Sequence, residues 1–167
     1  MPLDPKEVIL RRLSRELSAV RTVFLGLGLP QLVSSRLPPA VRCLDASSNG
    51  SSGEVDVVVV EASEVTPQGD LVLGSDEEIF GGSGHRWIVA TTHTDSEGRP
   101  RLVKISRFPI VIPGRIDLVI TEMGVIEVSE VGLVLREVAP GYATDDVKMK
   151  TNASLHVADD IRLMDLA

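Results

Sequence analysis

Apolar residues recur along this chain at two different spacings, and the change from one to the other marks its elements. After Asp4, residues Ile9, Leu10, Leu13, Leu17 and Val20 return at helical intervals, with Arg11, Arg12, Arg15 and Glu16 between them. Asp4 stands where an N-cap belongs, Pro5 at the first helical position, and Glu7 where a capping box places its acidic member. The chain therefore opens with an amphipathic helix whose apolar stripe is packed and whose charged face is solvated. Beyond it the pattern shortens to β-branched runs bounded by Gly, Pro, Ser and Asn, which predicts strands at 22–25, 41–45, 55–60, 87–91, 102–105, 116–120, 133–138 and 155–158. Pro67-Gln68-Gly69-Asp70 reads as a turn joining 61–65 to 71–73 in a small hairpin.

Short helices are expected at 31–36, closed by Pro38-Pro39, and at 144–150, opened by Asp145 and Asp146. Residues 46–54 are almost wholly Ser, Gly and Asn, and 74–85 are acidic and then Gly-rich, so both read as loops. Runs such as 57–60 show no apolar–polar alternation, as in strands buried on both faces. With helices alternating early and strands crowding late, the expected fold is a single α/β domain over 1–167. Its core is an open, mixed, largely parallel sheet flanked by helices.

Composition narrows the chemistry. Aromatic residues make up only 3% of the chain, so the core must be built from Val, Leu and Ile. The formal net charge of −7 excludes a nucleic-acid binder or a polybasic membrane module, which need clustered positive charge. One cysteine, Cys43, cannot close an internal disulfide and, with three scattered histidines, forms no zinc-ligand pattern. Its apolar neighbours predict a buried structural thiol. No apolar run is long enough to span a bilayer and no signal-peptide core opens the chain, so a cytoplasmic protein is expected.

The order of motifs resembles the B subunit of family I CoA-transferases, the 3-oxoacid (succinyl-CoA:3-ketoacid) type. The likeness is carried by Asp117 to Ile126, then Gly132-Leu133-Val134-Leu135-Arg136-Glu137-Val138-Ala139-Pro140-Gly141, then Asp145-Asp146-Val147. Upstream, Phe24-Leu25-Gly26-Leu27-Gly28-Leu29-Pro30-Gln31-Leu32-Val33, the run from Asp56 to Leu71, His93-Thr94, and the segment from Pro100 to Gly114 follow in the family's order. The resemblance implies reversible CoA transfer between an acyl-CoA, of the succinyl-CoA type, and a 3-oxo acid or other carboxylate. It implies a coenzyme A thioester as substrate with no permanently bound cofactor or metal, and an A subunit or a second copy as partner. Gly26, Gly28, Asn49, Gly50, Gly81 and Gly82 are the positions where it places CoA and acyl binding.

The family's nucleophile is a glutamate within Ser-Glu-Asn-Gly, and the matching text here is Ser47-Ser48-Asn49-Gly50. Ser48 thus occupies the glutamate position, and a serine cannot form the acyl-glutamyl anhydride. The several tens of residues that normally follow are absent, leaving an unusually short link to the next strand, where parallel neighbours call for a dozen or more. Such a link forces either a local change of strand order or a bare loop across one face. Glu61 stands where the family has glycine, at the end of a buried strand, and is the candidate substitute carboxylate. Leu118 replaces a frequent arginine. His93 reads as a hydrogen-bonded structural histidine. The alternative to an enzyme is a catalytically inactive paralogue or truncated subunit acting as an assembly partner.

Overall fold

The computed structural model describes residues 3–45, 54–73 and 83–167. Helix α1 (Pro5–Glu16) begins where expected, with the Asp4 carboxylate accepting the Lys6 amide at 2.8 Å. Glu7 does not close a capping box. Its carboxylate instead accepts from Arg11 and Arg36, a stronger, charge-assisted use of the same oxygens.

Ten strands follow: β1 (Thr22–Leu25), β2 (Arg42–Asp45), β3 (Glu54–Val60), β4 (Glu64–Val65), β5 (Leu71–Val72), β6 (Ser83–Ala90), β7 (Leu118–Ile120), β8 (Gly124–Ser129), β9 (Gly132–Val138) and β10 (Leu155–Leu163). Eight form one sheet in the order β10-β9-β8-β7-β6-β3-β1-β2, and β4 and β5 make the small antiparallel ribbon read from the sequence. Strands β2, β1, β3, β6 and β7 run parallel; β8 is antiparallel to both neighbours, and β10 is parallel to β9. The mixed, largely parallel α/β sheet is as expected.

Several elements differ in detail. The segment after Gly28 is a 3₁₀ helix, Leu29–Arg36, rather than an α-helix from residue 31. Residues 102–105 form no strand. Leu102 and Val103 make only isolated bridges to Val65 and Asn152, because the segment crosses the ribbon instead of joining the sheet. Cys43 is exposed, not buried, since among the described residues β2 is an edge strand with only β1 beside it. Strands β2 and β3 flank β1, so the link 46–53 joins two parallel strands with a third between them; that link lies outside the described residues.

Each sheet face carries a core of its own. On one face α1 and the 3₁₀ helix bury Ile9, Leu13, Leu17 and Val33 against Val23, Val59, Ile88 and Ile120. On the other, the ribbon and helix α2 (Thr144–Met149) bury Leu71, Leu102 and Val147 against Val58, Val89, Val119 and Leu133. Leu118, at the position where the family often has arginine, is a core residue beneath α1. No helix of the described residues is long and apolar enough to cross a membrane.

Candidate functional site

Five parallel strands bring their C-terminal ends to one rim, the place where open α/β sheets receive ligands. At the end of β1 the chain turns through Gly26-Leu27-Gly28. The Gly26 amide is spent inside the sheet, donating to the Val59 carbonyl at 2.8 Å, so it is not offered to a ligand. Gly28 has φ of +86°, which a side-chain-bearing residue rarely adopts. A Cβ built there would fall 2.5 Å from Glu61 Oε2. The positive φ is what calls for glycine, and the free end of the Glu61 side chain occupies the space a Cβ would take.

Glu61 follows directly on β3 and is half-buried. Its position at the rim is what the sequence proposed for a substitute carboxylate, and the structure brings it against the Gly26–Gly28 turn. Ser48, Asn49, Gly50, Gly81 and Gly82 lie outside the described residues. Among the described residues no group of His, Cys, Asp and Glu is arranged to hold a metal ion.

Three groups at the rim were not singled out as site residues by sequence reasoning or were read only as structural. Arg101, after the Asp95–Arg99 turn, sends its guanidinium over the ends of β3 and β6. There Nε donates to Thr92 Oγ1 and an η nitrogen to the Ala62 carbonyl, both at 3.3 Å. Glu122, just past β7, accepts the His93 amide at 2.6 Å, and burial raises its carboxyl above the usual range, partly offset by hydrogen bonds and the Arg101 charge. It lines a pocket of about 240 Å³ closed by Leu3, Pro5, Val8, Pro140 and Tyr142. His93 itself is fully buried, with its two ring nitrogens 2.9 Å from the hydroxyls of Thr121 and Thr151. Burial lowers its pKa to about 4, so it stays neutral and ties β7 to the end of α2. That is the structural role read from the sequence.

A wider, open cavity of about 710 Å³ lies over α1 and the end of β10. Arg12, Arg15 and Arg36 beside it already hold carboxylates, and Arg162 also lines it.

No protein-family model matches the chain. Individual relatives do. It is 25% identical to a probable coenzyme A transferase subunit beta of Bacillus subtilis, across 91% of this chain and 94% of that protein. It is also 25% identical to the acetate CoA-transferase subunit beta of Haemophilus influenzae, across 99% and 97%. The chain is similar to the beta subunits of CoA-transferases over nearly its whole length. Among solved structures, glutaconate coenzyme A-transferase from Acidaminococcus fermentans superposes with a TM-score of 0.71 at 16% identity, covering 99% of this chain and 90% of that one. The decarboxylase AibA/AibB superposes at 0.73 with 17% identity, across 99% and 90%. One fold thus serves two reactions, so the scaffold alone does not fix the chemistry.

The likeness is interrupted by gaps on this chain's side. In the Bacillus subtilis alignment, 205 positions take in only 91% of a 167-residue chain, so tens of the relative's residues have no counterpart here. Those losses accord with the short links that the sequence shows after Gly50 and Gly82.

Proposed function

We propose that this protein is the B-type subunit of an enzyme that moves coenzyme A between an acyl-CoA and a free carboxylic acid, with Glu61 as its nucleophile. The observation that carries the reading is the place of Glu61: a half-buried carboxylate at the C-terminal rim, leaning on the Gly26–Gly28 turn, in a chain whose family glutamate position holds Ser48. In the proposed cycle a Glu61 oxygen attacks the thioester carbonyl and CoA thiolate leaves, giving an acyl-glutamyl anhydride. The thiolate then attacks the glutamyl carbonyl, releasing the first carboxylate and leaving a glutamyl-CoA thioester. An incoming carboxylate reverses both steps and departs as the new acyl-CoA. Every bond broken is matched by one formed, so no redox partner or resident cofactor is required. Asn49, Gly50, Gly81 and Gly82 belong to this reading as CoA-binding positions, with Gly28 shaping the turn.

The proposal includes an A-type partner subunit, a cytoplasmic setting, and a succinyl-CoA or acetyl-CoA donor with a 3-oxo acid as one acceptor, as in ketone-body metabolism. Ile105, Phe108, Ile110 and Val111 stand exposed on one segment beside the ribbon and suit a partner's surface. A second reading, an inactive assembly subunit, is favoured by Ser48 and by the lost segment.

The deciding experiment incubates the chain, alone and with a candidate A-type subunit, with succinyl-CoA and acetate or acetoacetate. Transfer that Glu61→Gln abolishes, with a glutamyl-CoA thioester captured by borohydride and located at residue 61, supports the enzyme. Transfer unchanged by Glu61→Gln overturns the assignment of Glu61. No transfer under any pairing, with a stable complex formed, establishes the assembly role.

A further inference from the structure

We propose that Arg101 is an oxyanion anchor at the rim and that the oxyanion it takes is a carboxylate. The inference deepens the proposed function, on which it rests, by naming the residue that receives the free acid. Arg101 is half-buried, yet unlike the other arginines of that exposure it has no carboxylate within ion-pairing distance among the described residues. Arg12 holds Glu16 and Glu137, Arg86 holds Glu16, and Arg136 holds Glu127. Two residues upstream, Arg99 is occupied by Asp95 and Glu97.

The guanidinium is nonetheless held in place. The Arg101 amide donates to the His93 carbonyl at 3.1 Å and its own carbonyl accepts from Val65 at 2.8 Å, which fixes the backbone between two elements. Thr92 donates its hydroxyl proton to the Thr94 carbonyl at 2.8 Å, leaving a lone pair of Oγ1 to face Arg101 Nε. The contact to the Ala62 carbonyl anchors one η nitrogen beside Glu61. Both acceptors are neutral, so among the described residues no carboxylate is bonded to the guanidinium, and Glu122 feels its charge only through space. Three N–H groups are left, one on the η nitrogen that holds Ala62 and two on the other, and one from each can point the same way. That fork matches the two oxygens of a carboxylate in a bidentate pair, and a point-charge cation would not substitute for it.

The test is calorimetric titration of succinate into the full-length protein, with its partner subunit where one is required for solubility. Arg101→Gln is expected to weaken succinate by roughly tenfold or more, the usual cost of losing charge-assisted hydrogen bonds. Arg101→Lys should recover only part of that loss, since it restores charge without the fork. Thr92→Val, which removes the orienting acceptor, should weaken binding a few-fold. Inorganic phosphate at matched ionic strength should bind more weakly than succinate and be displaced by it. Wild-type protein that binds no succinate, or an Arg101→Lys variant that binds like wild type, overturns the proposal. So does a phosphate affinity that exceeds succinate's and falls on mutation of Arg101, which assigns the site to a phosphate. No CoA is present in the titration, so a silent transfer assay with intact succinate binding sinks the nucleophile and leaves the anchor standing.

Discussion

At the scale of single residues, His93 and Glu122 show burial pulling two neighbouring groups in opposite directions. His93 is held neutral with a pKa of about 4, against 6.5 for an exposed imidazole. Between those values the unfolded chain binds the proton and the native state does not. Stability from this residue is therefore complete above pH 6.5 and is lost as pH falls through 4, a swing of about 3 kcal/mol. Urea unfolding of wild type at pH 7 and pH 4.5 should show that loss, and His93→Gln should flatten it. Glu122 has the reverse sign: its raised folded pKa makes its contribution greatest at low pH and lost as pH rises past the ordinary glutamate range. Glu122→Gln keeps an acceptor for the His93 amide. It should raise the melting temperature at pH 7 more than at pH 4, as read by calorimetry at both. His93 as a structural group was legible in its motif. Glu122 was visible only as one acidic letter in a family block, because its burial depends on α1 and the Pro140–Tyr142 turn closing over it.

At the scale of elements, α1 is fastened to the sheet by a four-membered charge chain. Arg12 makes a bidentate pair with Glu137 of β9 at 2.9 and 2.7 Å and a third bond to Glu16, which also takes Arg86 of β6. The Arg12 and Glu137 side chains are only 12% and 13% exposed, so removing one partner strands the other in a poorly hydrated place. Arg12→Met is expected to cost about 3 kcal/mol by denaturant titration, while the paired change Arg12→Met with Glu137→Leu should recover much of it. The helical spacing of the apolar stripe was plain from the sequence. It assigned Arg12 to a solvated face, whereas the structure turns that arginine inward to a strand 125 positions away. The Gly26–Gly28 turn allows a paired comparison. Gly28 and Gly98 have nearly equal φ values, +86° and +83°, but a Cβ meets Glu61 at the first and nothing within 4 Å at the second. Both Gly28→Ala and Gly98→Ala should cost about 1 kcal/mol for their positive φ, and Gly28→Ala should in addition displace the Glu61 carboxylate, read as a change in activity that Gly98→Ala does not cause.

At the scale of the whole molecule, the described residues leave the sheet two edges, β2 and β10, and an exposed apolar segment around Phe108. That segment is not loose. Glu64, fully buried, grips it through the Arg107 amide at 2.8 Å and the Arg107 side chain at 2.7 Å, and Arg107 lies 5.7 Å over the Phe108 ring. A rigidly presented apolar surface is what association favours, since little ordering remains to be done on binding. Ile110→Asp should leave the melting temperature of the isolated chain within a degree or two and abolish co-elution with an A-type subunit in size-exclusion chromatography.

The sequence by itself determined the fold class and the likeness to CoA-transferase beta subunits. Each of these is written in local order: β-branched runs make buried strands, and motif succession survives at low identity. The tertiary structure decided what those residues touch. It set Glu61 against Gly28, placed Arg101 over the ends of β3 and β6 with no ion-pair partner among the described residues, exposed Cys43 and drew 102–105 out of the sheet. Contacts of this kind join residues far apart in the chain, and their energetics follow from burial and charge pairing, which no local pattern of residues carries.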